Sequence, residues 1–585
     1  MTSDNKKPIK VTYPEFNVNE ENPYQEEMDK WVDITLAQAG TTRTRKNIIE
    51  CLTKSLKSKY GISDKEELKE KVNNIMELHG LGEENFDPLA IISKLTFGNL
   101  QTVNDISVDA NANKTSTNFE GICAEAALPY KKLVGYDYLY QTLKELYGKS
   151  EAKKCCASMY DFSLALNDST NICKPYCYCI DASKLVTEGR KFGLLHSGPA
   201  HRVSTYIATL GDTIREISFN IAGAVAIGTF FLDIANLAIY KERITLDDLR
   251  NDRKVRKAMA NHMQQFIYTV NHYSRNAVES PFTNVSCFDR EKLRGLIADD
   301  NYGWYFPKKA AVIEDNELEN NKEAFKEFVL DYIEELQEIY IDVFDQGDPL
   351  RNGLQFPFPV TTVNFATDKD ENGNVHMSLK ENRLEDYLSK KDISKYNIFS
   401  SSGTKVASCC RLLSDSDMLE LGAGVNSFGG SQVSLGSHRV VTIDFSRCAY
   451  EAESYDDFKK IVTERVEEMT KILKAHRILI HKLEKCGTQP WITNGWINMS
   501  HMFSTYGCVG YVEADQILKF KFNHADFDYM KDFLVYFNGE CKRMADTEKM
   551  IWNIEAIPAE GMAPKLAKAN KIIFADENGD YCIED

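Results

Sequence analysis

Two cysteines stand side by side in Lys405-Val-Ala-Ser-Cys-Cys-Arg-Leu412, between a short apolar lead-in and an arginine. A thiol on a small-residue loop held by a strand can reach into a cavity and do chemistry there. Read locally, the pair is also consistent with two packing thiols, because free cysteine is among the most buried residue types. A second group, Cys173-Lys-Pro-Tyr-Cys-Tyr-Cys179, has the wrong spacing for a zinc knuckle or an iron–sulfur loop. No Cys-x-x-Cys occurs in the chain. The glycine tract 422–436 lacks the spacing of a phosphate-binding P-loop. Pro558-Ala-Glu-Gly-Met-Ala-Pro-Lys-Leu566 either presents backbone N–H groups at a helix start to an anion or uses Pro558 simply to open a helix.

These residues need a large scaffold, and 585 residues supply one. The composition, 43% hydrophobic and 27% charged, is that of an ordinary globular protein. Seventy basic against 87 acidic residues leave a formal charge of -17, which argues against a nucleic-acid polymer as partner. A single nucleotide needs only a local cluster and stays open. No run reaches the roughly 18 uncharged apolar residues of a membrane span. The polar start MTSDNKKPIK has no signal-peptide core, so a cytoplasmic location is expected. In a long chain of that kind, most of the fifteen cysteines are expected to be reduced packing residues, with a few redox-active.

The positioning elements follow from periodicity. Apolar residues at helical spacing predict helices from about Asn22 to Gly82, broken at Gly61 and restarting at Ser63-Asp-Lys-Glu. Further helices are predicted over His201–Ile217, Ala222–Tyr240, Val255–Tyr273, Lys322–Phe344, Tyr455–Leu483 and Asp526–Thr547. Tyr176–Ile180 alternates like a strand; β-runs follow at Ser280–Ser286, after Phe356-Pro-Phe-Pro, and at Ser437–Asp444, and Asp370–Asn374 reads as a turn. Short strands separated by helices over some 400 residues favour an α/β barrel or a doubly wound sheet. Residues 1–95 read as a helical N-terminal extension, and 96–585 as the barrel, with a helical block at about 200–275 suited to a subunit interface.

Taken in order, the motifs resemble the catalytic subunit of class III, anaerobic ribonucleoside-triphosphate reductases, from about Asp109 to the last residue. The landmarks are Asn111-Ala-Asn113, Ser280-Pro-Phe-Thr-Asn284, Phe356-Pro-Phe-Pro with Asn364, Ala407-Ser-Cys-Cys-Arg411, Ser437–Asp444 with Arg447, Tyr506–Glu513 and Asn553–Glu560. The resemblance implies a ten-stranded α/β barrel with a central cysteine-bearing finger loop. It implies reduction of ribonucleoside triphosphates to 2′-deoxy forms, with Cys410 carrying a thiyl radical that removes the ribose 3′ hydrogen. Cys177 is implied as the reducing thiol, and Cys409 as a packing or redox partner. Asn284, Ser408, Arg411, Ser437, Pro558, Ala559 and Glu560 are implied as substrate-binding. It further implies a homodimer, ATP and deoxynucleoside-triphosphate effectors, and a radical-SAM activase.

The chain departs from the family's pattern in three places. Ser437 stands where formate-using relatives hold formate with an asparagine, which points to a thiol or redoxin donor. Residues 1–95 show no resemblance to an ATP cone. The zinc-binding Cys-x-x-Cys pairs and the Arg-Val-x-Gly-Tyr radical loop of relatives are not matched before Asp585, so the glycyl radical is expected in trans from another polypeptide, with zinc there and no metal in this chain. Cys508-Val-Gly-Tyr511 resembles that loop only superficially. The alternative reading is a catalytically inactive, dimeric nucleotide-binding homologue; the presence of both Cys177 and Cys410 favours the enzyme. A formate-lyase relative is disfavoured by Ser280-Pro-Phe-Thr-Asn284.

Overall fold

The computed structural model describes residues 25–97, 118–192, 195–272, 275, 279–297, 322–369, 375–377, 383–401, 406–408, 412–414, 435–557 and 561–575. In chain order the strands are β1 (Leu164–Leu166), β2 (Cys177–Ile180), β3 (Arg190–Phe192), β4 (Leu195–Ser197), β5 (Val225–Ile227), β6 (Thr283–Phe288), β7 (Val360–Lys369), β8 (Val375–Met377), β9 (Asn397–Ser401), β10 (Val406–Ser408), β11 (Leu412–Ser414), β12 (Leu435–Asp444), β13 (Met502–Val509) and β14 (Trp552–Ala556). Ten of them form one mixed sheet ordered β14-β13-β12-β2-β5-β6-β7-β8, with β1 also on β12 and β9 on β7. β2, β5, β6, β7 and β9 run parallel to one another, as do β12, β13 and β14. The two sets meet antiparallel where β12 pairs with β2. This is the α/β architecture that the order of strands and helices leads one to expect.

Local chemistry explains the element ends. Asp64 caps the helix Lys65–Leu78 by accepting from the amides of Glu66 and Glu67, and Gly61 breaks the preceding helix, Gln25–Tyr60, at φ +69°. Ser454 caps Tyr455–Lys485 in the same way as Asp64. All ten residues of β12 are buried, so both of its faces are covered. One large core is shared by β2, β5, β6, β7 and the helices Val203–Ser218, Arg253–Val270 and Lys322–Gln346. In a second, the N-terminal helices, Leu128–Tyr160, β1 and Tyr455–Lys485 pack with the later part of β12.

One expectation fails. Ala222–Tyr240 is not a single helix: β5 occupies Val225–Ile227, and only Phe230–Asn236 continues as α-helix, with a π-turn to Glu242. A strand buried on both faces presents an unbroken apolar run, and periodicity cannot separate that from a buried helix. The predicted turn at Asp370–Asn374 and the landmark Asn111-Ala-Asn113 lie outside the described residues.

Candidate active site

The polar groups that could serve chemistry gather where the two strand sets meet. Cys177 is the first residue of β2 and pairs directly across from Ser437 on β12, which puts both side chains on one face. Its sulfur accepts the Ala224 N–H at 3.3 Å and lies against Gly223, where a Cβ would stand only 2.6 Å from it. Glycine at 223 is therefore a steric requirement of the thiol's position.

Ser437 Oγ lies 2.7 Å from Thr505 Oγ1, and the Thr505 hydroxyl donates to Asn553 Oδ1 at 2.7 Å. Ser437 is also placed to donate to its own strand's Arg439 carbonyl at 3.1 Å. Three neighbouring strands are thus tied by one uncharged chain of hydrogen bonds. Between Ser437 and Arg439 the register of β12 against β13 slips by one residue, a bulge with His438 as the extra residue. The bulge leaves Ser437 facing Cys177 and turns His438 toward the helix Tyr455–Lys485.

On that outer face His438 Nδ1 lies 3.0 Å from His476 Nδ1, so one ring carries the shared proton, and His438 Nε2 meets Ser504 Oγ at 2.8 Å. Burial pushes the pKa of both imidazoles well below the ordinary value, helped by the Arg477 and Arg439 guanidiniums. Arg439 is itself fully buried and donates to the carbonyls of Asn167 and Asn171, each at 2.8 Å, to that of Lys174 at 2.5 Å, and to His476 Nε2 at 3.1 Å.

Asn284 sits two strands from Cys177, on β6. Its amide donates to Thr362 Oγ1 at 2.6 Å and to the Val360 carbonyl at 2.9 Å, and its oxygen accepts from Ser286. β10 and β11 form a separate antiparallel hairpin, Ser408 pairing with Leu412 across residues 409–411. β10 packs over β6, β7 and β9. The opposite face of β6 and β7 is already covered by the helices Arg290–Ile297 and Lys322–Gln346.

The structure brings together Cys177 and Ser437, places Asn284 on the same sheet, and lays the strand ending in Ser408 across it. Cys409, Cys410, Arg411, Pro558, Ala559 and Glu560 lie outside the described residues. The helix after the last three begins at Ala563 with Pro564 in its first turn, so Pro558 does not open it. The motif reading missed Thr505 and Gly223 entirely, and quoted Asn553 only as part of a landmark. Thr505 shows only as a polar residue at alternate spacing in an apolar strand.

The twelve described cysteines are free thiols. Burial pushes Cys156, Cys448 and Cys508 up to about 12, which marks them as inert packing groups. Gly510, in the loop-like Cys508-Val-Gly-Tyr511, caps the helix Tyr511–Phe522 at φ +69°, with Asp444 Oδ1 only 2.6 Å from where a Cβ would stand. Among the described residues no group of three His, Cys, Asp or Glu side chains is placed to hold a metal, and no helix is long and apolar enough to cross a membrane.

Comparison with known proteins places this geometry. The sequence profile of the family described as anaerobic ribonucleoside-triphosphate reductase matches residues 124–582. The anaerobic ribonucleotide reductase from Thermotoga maritima in complex with dATP and CTP superposes with a TM-score of 0.68 at 22% identity, over 91% of this chain and 79% of that one. The same enzyme with citrate in the active site gives 0.66 at 22% identity, over 91% and 86%. With dATP bound in its specificity site it gives 0.65 at 22%, over 88% and 80%. No curated protein matches the sequence.

Proposed function

Because the chain belongs to the anaerobic ribonucleoside-triphosphate reductase family, we propose that it reduces ribonucleoside triphosphates to 2′-deoxyribonucleoside triphosphates, with a thiyl radical on Cys410 and Cys177 as the reducing thiol. The observation that carries this reading is Cys177 set across from Ser437, on the sheet over which the strand leading to Cys409 and Cys410 is laid. Two facing thiols suit the removal of a hydroxyl, since a thiol supplies both a proton and electrons without water.

A glycyl radical supplies the one-electron oxidation of the finger-loop thiol in this family. Gly510 does not fit that role, being a left-handed helix cap set close against Asp444. The radical is proposed to reside on a separate polypeptide, with zinc held there, and to be installed by a radical-SAM activase. This chain's own residues bind and orient the ribose. Ser437, Asn284, Ser408 and Arg411 hold the sugar side, and the segment Pro558–Glu560 holds the phosphates near the start of the helix Ala563–Phe574. Cys409 packs beside the reacting thiol or takes part in its redox cycle.

The Ser437 hydroxyl has both a side-chain and a backbone acceptor in reach for its single proton. That arrangement suits a thiol or redoxin as electron donor better than an anion such as formate, which needs a donor. The helices Val203–Ser218 and Arg253–Val270 pack together with Phe219 and Tyr268 exposed. That block is proposed as the homodimer face, binding ATP or deoxynucleotide effectors.

The deciding experiment joins this chain anaerobically with an activase and a polypeptide carrying two Cys-x-x-Cys pairs and Arg-Val-x-Gly-Tyr. Deoxynucleotide should form with all three and not with this chain and activase alone. Cys410→Ala and Cys177→Ala should each abolish it, and Cys409→Ala should keep measurable turnover. An active Cys410→Ala with a dead Cys409→Ala would shift the radical to the neighbouring thiol. Nucleotide binding with no reduction by the complete system would favour the inactive homologue.

A further inference from the structure

Cys177 is held between two segments that belong to no strand. Residues 167–176 lead into β2 and residues 220–224 lead into β5, and they are stitched together by Ala222 N–H to the Pro175 carbonyl (2.8 Å) and Gly223 N–H to the Tyr176 carbonyl (2.7 Å). Each segment closes on one buried arginine. Arg439 takes the first through the carbonyls of Asn167, Asn171 and Lys174, with its guanidinium over the Tyr176 ring at 5.9 Å. Arg275, 7% exposed, takes the second: its Nη2 reaches the carbonyls of Ile221 (2.9 Å), Ala222 and Gly223 (3.1 Å). Gly223 touches the Cys177 sulfur, and the next amide, Ala224 N–H, donates to it.

Among the described residues neither arginine makes an ion pair with a carboxylate. Two guanidiniums buried on carbonyl oxygens are a costly way to stabilise a fold, because desolvating a cation is offset best by a paired anion. They are a direct way to fix two loops around a sulfur and to leave positive charge beside it. Beside burial, the Asp168 carboxylate acts most strongly on the Arg439 charge, followed by Tyr176, Cys173 and Cys177.

We infer that Arg275 and Arg439 are positioning residues for the Cys177 thiol, clamping the two loops that hold it and giving it an electropositive setting. The inference rests on the reading of Cys177 as the reducing thiol. Any step in which that thiol releases its proton leaves charge on a sulfur within the field of Arg439, the setting that makes a cysteine reactive. Arginine suits the task because one planar group with five donors can serve several carbonyls at once, which a lysine ammonium on a flexible stem cannot.

The test needs neither substrate nor radical. The folded chain is treated with iodoacetamide across a pH series, and the alkylation of Cys177 is followed by mass spectrometry of its peptide, with exposed Cys486 as internal control. Arg439→Met and Arg275→Met should each slow Cys177 alkylation about tenfold at pH 8 and move its pH profile upward, with Cys486 unchanged. Arg439→Lys and Arg275→Lys should fall between the variants and the parent. With the complete system, the Met variants should lose kcat and keep KM. Unchanged or faster Cys177 alkylation in either Met variant that keeps the parent's circular dichroism would overturn the clamp; if a Met variant does not fold, the Lys variant of the same residue, expected to be slowed severalfold, decides on the same criterion. An alkylation effect without any deoxynucleotide from the parent would instead leave the clamp standing and sink the reductase reading.

Discussion

The molecule buries arginines in two different ways. Beneath the N-terminal helices, Lys59, Arg447 and Arg465 pair with Asp161, Glu451 and Glu468, and the half-exposed Lys154 joins Glu468 at the rim. Around Cys177, Arg275 and Arg439 meet carbonyl oxygens and, for Arg439, a histidine. The first cluster ties helix Gln25–Tyr60, the end of helix Leu128–Tyr160 and the helix after β12 into one body, and every cation in it meets a carboxylate. The second has no carboxylate in ion-pair contact among the described residues, Asp168 acting on Arg439 only from a distance, and it lies where chemistry is proposed. Burial of charge is thus structural glue where it is neutralised and a working field where it is not.

The comparison is broken most directly at Arg447. Arg447→Met strands Asp161 and Glu451 among fewer cations, and chemical denaturation should show a loss of about 3–5 kcal/mol. Arg439→Met leaves carbonyls and one imidazole nitrogen without their donor and should cost about 1–3 kcal/mol, while removing more activity than Arg447→Met does among folded molecules. If Arg439→Met proved the more destabilising of the two, the division into glue and working field would fail.

Acid separates the regions by a different property. Burial holds His438, His476 and His79 neutral, with folded pKa values below the unfolded value of about 6.5. The unfolded chain therefore binds more protons than the folded one below pH 6.5, and stability should fall as pH drops from there, by up to about 1.4 kcal/mol per pH unit for each histidine. Asp161 behaves otherwise. Burial alone would raise its pKa, but Lys59, Arg447 and Arg465 outweigh this and hold it well below the carboxylate range. Its contribution is fully present above about pH 4 and disappears only below. Thermal melts from pH 7 to 3 should thus decline in two stages, and His476→Gln should flatten the upper one alone. The exposed pair Lys542–Asp546 marks the small end of the scale; Lys542→Ala should shift stability by no more than about 0.5 kcal/mol.

How far this could be read from the sequence depends on distance along the chain. Ser437 could be singled out because it opens a motif of fixed order, Cys177 only by its distance from Leu185 and Gly189, and the long helices were legible because their periodicity is sustained. β5 was not, since Ala224–Ile227 reads equally as helix or buried strand. Arg275 carries no local sign of its role: its carbonyl partners lie 52 to 54 residues away and are chosen by backbone shape, not residue type. Arg439 and His476 face each other only because the bulge at His438 and the helix Tyr455–Lys485 happen to share a face. Such pairs are set by tertiary geometry, and no single-sequence pattern encodes them.

The placing of β12 against β2 has a consequence for the order of events during synthesis. Ser437 finds Cys177 across 260 residues of chain, and β12 is then flanked by β13, whose residues come later still. Loops of that length close slowly, and long-range strand pairing is a late event in folding. While the ribosome is still extending the chain, Cys177 has no Ser437 and the carbonyls of Asn167, Asn171 and Lys174 have no Arg439. The thiol therefore spends its first seconds without its clamp, exposed to whatever oxidant the surroundings hold, and is enclosed only when the second half of the sheet arrives. Oxygen should accordingly harm the nascent chain more than the finished one.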